Sequence, residues 1–189
     1  MTCTGLLGGT FDPPHIGHVS LAEAAKRHFG IAPLRVLVSV SPPHKRVSTP
    51  IDARLRLTKL AFPNDVVVRD ENPYSIDTVS GYGDDAVFLV GADQFANFLK
   101  WRSPNEILEH VRLGVATRPG YPRDELERVL FRLKRPERVV FFDLDPVSVS
   151  SSQVRERAYQ GLSIDELVPP QVAVEIDRLG LYRPRAGVS

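Results

Sequence analysis

The chemistry of this chain concentrates in Gly8-Gly9-Thr10-Phe11-Asp12-Pro13-Pro14-His15-Ile16-Gly17-His18. The apolar run Gly5-Leu6-Leu7 before it reads as a short buried strand. Val19 to Phe29 after it reads as an amphipathic helix stopped by Gly30. His15 and His18 therefore fall where a strand turns into a helix. Gly8 and Gly9 leave backbone uncovered, so that an anion can come close. Helix-start N–H groups and the helix dipole favour negative charge at such a point. Two imidazoles flanking Gly17 can both donate to an oxyanion. The combination describes a phosphate site with two titratable donors. An ordinary strand-helix turn carrying solvated histidines is the plain alternative. Zinc held by Cys3, His15 and His18 lacks a fourth ligand at a fitting spacing, so no metal site is expected.

The elements around this stretch alternate. Leu34 to Val40, Val66 to Val68, Ala86 to Val90, Leu113 to Ala116 and Val139 to Phe142 read as further strands. Helical patterns separate them: Pro50 to Phe62 behind a Thr49 cap, Asp93 to Leu99, a segment opened by Ser103-Pro104, and Asp124 to Leu133. Ser151 or Ser152 caps a helix running to Gly161. Ser163 with Glu166 starts a short one, and Pro170 to Leu179 is the last. Strands buried on both faces and joined through helices imply a Rossmann-like, doubly wound parallel α/β sheet with helices on both faces. In such sheets ligands meet the carboxyl ends of the strands. Every segment singled out here follows a strand, which gathers them into one cleft.

Composition narrows the classes. The chain has 189 residues, 42% hydrophobic and 25% charged, enough for a single domain spanning 1–189, with a C-terminal helical part at about 150–182. A net charge of +1 offers no broad field for nucleic acid or membrane. One cysteine allows no intrachain disulfide, and without a signal segment or long apolar run the expected location is cytoplasmic. No internal repeat is evident, and oligomeric state is left open, a homo-oligomer included.

A second anion-holding helix start lies at Val149-Ser150-Ser151-Ser152-Gln153-Val154-Arg155, where hydroxyls and N–H groups stand beside an arginine fork. By itself it is also an ordinary serine cap. Pro42-Pro43-His44-Lys45 after the second strand would hold a point charge on a stiff loop. No GxxxxGK[ST] occurs, nor a serine or cysteine triad pattern.

The first stretch resembles the GxFDPxHxGH signature of the HxGH nucleotidyltransferases. Ser150 to Arg155 resembles the ISSTxxR signature of the same superfamily, with Ser152 in place of the usual Thr. Pro42 to Lys45, Tyr74-Ser75-Ile76-Asp77-Thr78, Gly91-Ala92-Asp93, Lys100-Trp101, Arg118-Pro119-Gly120 and the tail to Tyr182 resemble the nicotinate mononucleotide adenylyltransferase branch. The resemblance runs from Gly5 to Tyr182. It implies transfer of AMP from ATP to nicotinate mononucleotide, giving deamido-NAD and pyrophosphate. Nicotinamide mononucleotide or pantetheine phosphate are the alternative acceptors, and a non-catalytic nucleotide-binding module is the alternative of another kind. By resemblance, His15, His18, Lys45 and Arg155 act on the phosphates. Gly8, Gly9, Thr10, Phe11, Gly91, Asp93, Ser151 and Ser152 meet ATP. His44, Ser75, Ile76, Asp77, Trp101 and Arg118 meet the mononucleotide, and Mg²⁺ arrives mainly on the ATP phosphates. One departure stands out: only 12 residues separate Thr78 from Gly91, where the branch usually places a longer helix and loop.

Overall fold

The computed structural model describes residues 3–42, 47–118 and 121–184. Six parallel strands form one sheet in the order β3-β2-β1-β4-β5-β6. They are β1 (Cys3–Gly9), β2 (Ile31–Ser39), β3 (Val66–Asp70), β4 (Ala86–Gly91), β5 (Arg112–Thr117) and β6 (Val139–Asp143). Each falls where an apolar run was read. β1 is longer than expected, so Gly8 and Gly9 belong to the strand rather than to the loop after it.

Alternation along the strands builds two cores. Leu7, Val36, Val38, Val87 and Leu89 face one side, where they meet Ala22 and Ala25 of α1 (Ile16–Phe29), Leu57 and Ala61 of α2 (Ile51–Ala61), Val154 of α7 (Ser151–Tyr159), and Val172 and Ile176 of α8 (Pro170–Arg178). Leu6, Leu37, Phe88, Val90, Leu113 and Val115 face the other side. There they meet α3 (Ser75–Val79), α4 (Ala92–Ala96), α5 (Pro104–His110) and α6 (Arg123–Phe131). The C-terminal helices thus share a core with β1 and α1.

Because β1 is followed on one side by β2 and on the other by β4, the order of the strands reverses between β1 and β4. A crevice opens there at the carboxyl ends of the strands. Several local readings change. Pro50, not Thr49, is the N-cap of α2, and Ser150 caps α7 by accepting from the Gln153 N–H at 3.2 Å. Ser163 and Ile164 are irregular and Asp165 to Leu167 form a turn rather than a helix, while α3 is a five-residue helix that periodicity was too short to reveal.

Candidate active site

The spacing of His15, Gly17 and His18 has a packing cause. His15 is the N-cap of α1 in extended conformation, and its ring lies over Gly17, where a Cβ would come within 3.1 Å of it. The ring then stacks on His18 with centroids 3.7 Å apart. The His15 backbone N–H donates to His18 Nδ1 at 3.2 Å. With Nδ1 accepting, a neutral His18 carries its proton on Nε2. His15 is buried, and this desolvation lowers its pKa to about 4. His15 is thus a neutral imidazole at neutral pH, with a buried Nδ1 that has no partner among the described residues. His15 thus supplies a neutral donor rather than a cation.

Gly8 and Gly9 are used from within the protein as well. A Cβ at Gly8 would stand 3.2 Å from the Phe88 ring, and one at Gly9 2.9 Å from the Phe11 ring. Phe11 itself is 1% exposed with φ of 48°, so only its backbone could meet a ligand. The loop it belongs to is tied to the far end of the chain. Tyr182 Oη donates to Asp12 Oδ1 at 2.7 Å, Ser151 Oγ to the Pro13 carbonyl at 2.8 Å and Arg155 Nη1 to the Asp12 carbonyl at 2.6 Å. Arg155 also donates to Ser152 Oγ at 3.2 Å, and the Ile16 N–H donates to the Leu167 carbonyl at 3.0 Å. Burial beside Asp12 raises the Tyr182 pKa, so the phenol stays a donor.

Two hollows flank Thr10. One, of about 270 Å³, is lined by Gly8 to Phe11, His15, His18, Gly91, Asp93, Arg118 and Ser151. The other, of about 810 Å³, is lined by Thr10, Pro42, Tyr74, Ser75, Lys100, Trp101 and Arg102. A deeper recess of about 180 Å³ beside it adds Asp70, Thr78 and Phe88. Asp70 accepts from Thr78 Oγ1 at 2.8 Å and so braces α3. The Trp101 indole is held edge-on by Phe88 and Phe98, with centroids 6.3 and 5.4 Å away. Arg102 sits 4.6 Å over the Tyr74 ring and 3.8 Å from Asp77.

Most expected residues fall into these two hollows. Arg118, expected with the mononucleotide, instead lines the histidine hollow, 3.5 Å from Asp93. Ile76 points into the core, which leaves its backbone alone for any ligand. Asp77 faces Arg102 outside the recess. Ser152 is exposed, and its hydroxyl takes an Arg155 donor. His44 and Lys45, with Pro119 and Gly120, lie outside the described residues. Sequence reading missed Arg54. It lies on the buried stripe Arg54-Leu57-Thr58-Ala61 of α2, and a charge at a core position of a helical repeat was the available signal.

A family profile described as Cytidylyltransferase-like matches residues 6–157. The chain is 37% identical to a protein named "Probable nicotinate-nucleotide adenylyltransferase" in Bordetella avium, over 95% of this chain and 98% of that one. It is 32% identical to the protein of that name in Thermus thermophilus, with the same coverage of both chains. The chain belongs to the cytidylyltransferase-like family, and within it to the nicotinate-nucleotide adenylyltransferases. Its fold matches the solved Plasmodium falciparum nicotinic acid mononucleotide adenylyltransferase complexed with NaAD. The TM-score is 0.77 at 16% identity, over 96% of this chain and 98% of that one. The family's profile spans the starts of both α1 and α7.

Among the described residues no helix is long and apolar enough to cross a membrane, and no group of three or more His, Cys, Asp or Glu could hold a metal ion.

Proposed function

We infer that the protein transfers AMP from MgATP to nicotinate mononucleotide, releasing pyrophosphate and forming deamido-NAD. The observation that carries this reading is the pair of hollows meeting at Thr10. One is lined by imidazoles and a glycine-bearing backbone, the other by an indole and an arginine. The ATP phosphates belong with His15, His18 and Ser151. The acceptor belongs with Trp101, Ser75 and the Ile76 backbone.

An oxygen of the acceptor phosphate attacks the α-phosphorus. The new O–P bond forms as the bond to the β,γ-diphosphate breaks, and pyrophosphate leaves. The attacking oxygen is already anionic, so no general base is needed. The side chains work by holding the two phosphates together and by donating to charge that develops on the transferred group and on pyrophosphate. His18 donates through Nε2–H, and His15, kept neutral by burial, donates through one N–H. Arg155 and, outside the described residues, Lys45 add positive charge. The magnesium enters as part of the substrate, MgATP, where it would offset charge on the phosphates.

Choice of the acid over the amide is assigned to the backbone N–H groups of Ser75, Ile76 and Arg102, with the indole against the pyridine ring; the Trp101 N–H is already given to the Phe98 carbonyl at 3.0 Å. Donors facing the amide's NH₂ would be left unpaired, a mismatch worth on the order of 10²-fold in kcat/KM. The test is pyrophosphate release with MgATP and each of nicotinate mononucleotide, nicotinamide mononucleotide and pantetheine phosphate. The acid should lead by about that factor. Parity with the amide would overturn the specificity, and no release with any acceptor would leave a binding module.

A further inference from the structure

Arg54 is the largest fully buried side chain among the described residues, 2% exposed, and its hydrogen bonds there all go to backbone carbonyls. Nε donates to Thr49 O at 3.2 Å, and Nη2 to Val40 O at 3.2 Å. Nη1 donates to both Thr10 O at 2.8 Å and Ser39 O at 2.7 Å. The last two bonds matter most. The β1–β2 ladder ends at the pair Gly9 and Val38. One residue further along each strand, Thr10 and Ser39 have left the ladder, and a single guanidinium nitrogen joins them in its place. Thr10 borders the histidine hollow and the tryptophan hollow alike. Ser39 lines the recess beneath the latter, and Pro42, just beyond Val40, lines its wall.

The peptide after Thr10 adds a second consequence. The Thr10 carbonyl and the Phe11 N–H share one planar trans peptide, so aiming the carbonyl down at Arg54 turns the N–H away from it. Phe11 meanwhile holds a left-handed φ of 48°, which a residue with a side chain keeps only where its surroundings over-determine it. Arg54 from below supplies that constraint, together with the Phe11 ring packed on Gly9, Phe62 and His18. A leucine would fill this place on the α2 stripe without the cost of burying a charge. The fork does what a leucine cannot: it fixes three chain segments at once.

We propose that Arg54 is a positioning residue that sets the phosphate-side loop at Thr10-Phe11 against the acceptor-side exit of β2 at Ser39-Val40. The two substrates thereby meet in line. This rests on the adenylyl-transfer reading above. Misplacing one reacting group by about 1 Å costs on the order of 10²-fold in rate, and Arg54 touches neither substrate, so its loss should fall on kcat.

The experiment compares the parent with Arg54→Lys and Arg54→Met under saturating MgATP and nicotinate mononucleotide, well below each melting temperature. ATP-binding stoichiometry counts the folded sites. The expected result is a kcat per folded site lower by about 10- to 10²-fold in both variants, with each KM within about threefold of the parent. Lysine should recover part of the loss, because it still reaches a carbonyl. Folded variants with parental kcat and only a lower Tm would overturn the assignment. Failure of both variants to fold would overturn it as well, by making Arg54 a requirement of the fold alone. An inactive parent would instead remove the adenylyl-transfer reading.

Discussion

The two sides of the cleft are built differently. The histidine side is buried and cross-tied: His15, Phe11 and Asp12 are inside, and Tyr182, Ser151 and Arg155 reach them across more than a hundred residues of chain. The tryptophan side is more open, and its ties are local: Thr78 holds Asp70, and the Trp101 N–H holds the Phe98 carbonyl. Arg102 meets Asp77 at 3.8 Å with both side chains largely exposed, a pair that contributes little. Trp101 rests on ring edges rather than in a closed pocket. On the proposed reading the contrast follows a division of labour: the side that would meet developing charge is cross-tied, and the side that would select an acceptor is more open. Preorganised donors need no reorganisation during the reaction, whereas a selecting surface loses little by adjusting.

His18→Ala tests the rigid side and should show the largest effect. Loss of one preorganised donor lowers kcat by about 10²- to 10³-fold. The acceptor KM should move little, and the melting temperature should fall modestly, since the His15 N–H loses its partner. A variant whose KM for nicotinate mononucleotide rises while kcat holds would place His18 on the selecting side and undo the division.

Trp101→Ala tests the open side. On the proposed reading the indole offers a ring face to the acceptor and little to ATP, so the acceptor KM should rise by about 10- to 10²-fold, the scale of losing one base-stacking aromatic. The KM for ATP should stay near the parent value. Phe88 and Phe98 keep the core closed behind the gap. Steady-state kinetics in both substrates reads this directly. Equal losses for ATP and acceptor would mean that Trp101 supports the whole cleft, not one half of it.

Sequence made some of this legible and hid the rest, for physical reasons. The strands were readable because parallel strands buried on both faces are continuous apolar runs, such as Ala86 to Val90. The HxGH stretch was readable because two imidazoles around a glycine at a helix start are an uncommon set of side chains. The reason for Gly17 was not, since it depends on where the His15 ring comes to rest. The state of His15 was hidden for the same cause: burial, not residue type, keeps it neutral. That Arg118 lines the histidine hollow was not legible, because motif order along the chain does not tell which way the loop after β5 turns. Arg54 escaped because its chemistry is a set of backbone carbonyls, and those have no letter in the sequence.

The smallest expected effect probes how dry the rigid side is. His15 has an ordinary pKa of 6.5 in the unfolded chain and about 4 in the folded protein. Between these values the unfolded chain binds a proton that the folded protein does not, so stability is whole above pH 6.5 and falls as pH drops toward 4. By pH 5 the loss from this one group amounts to about 2 kcal/mol. Urea melts across pH 5 to 8 should show it, and His15→Gln, which cannot titrate, should flatten that part of the profile. Tripolyphosphate should flatten it too. An anion beside the imidazole favours the protonated form and brings the folded pKa back toward the unfolded one, so binding should be accompanied by proton uptake near pH 5. The opened acceptor side predicts the contrast: nicotinate mononucleotide, seated against Trp101, should shift the acid limb less than tripolyphosphate does. If His15→Gln keeps the parental acid limb, His15 is wetter than its burial indicates, and the rigid half of the cleft is less closed than its hydrogen bonds make it.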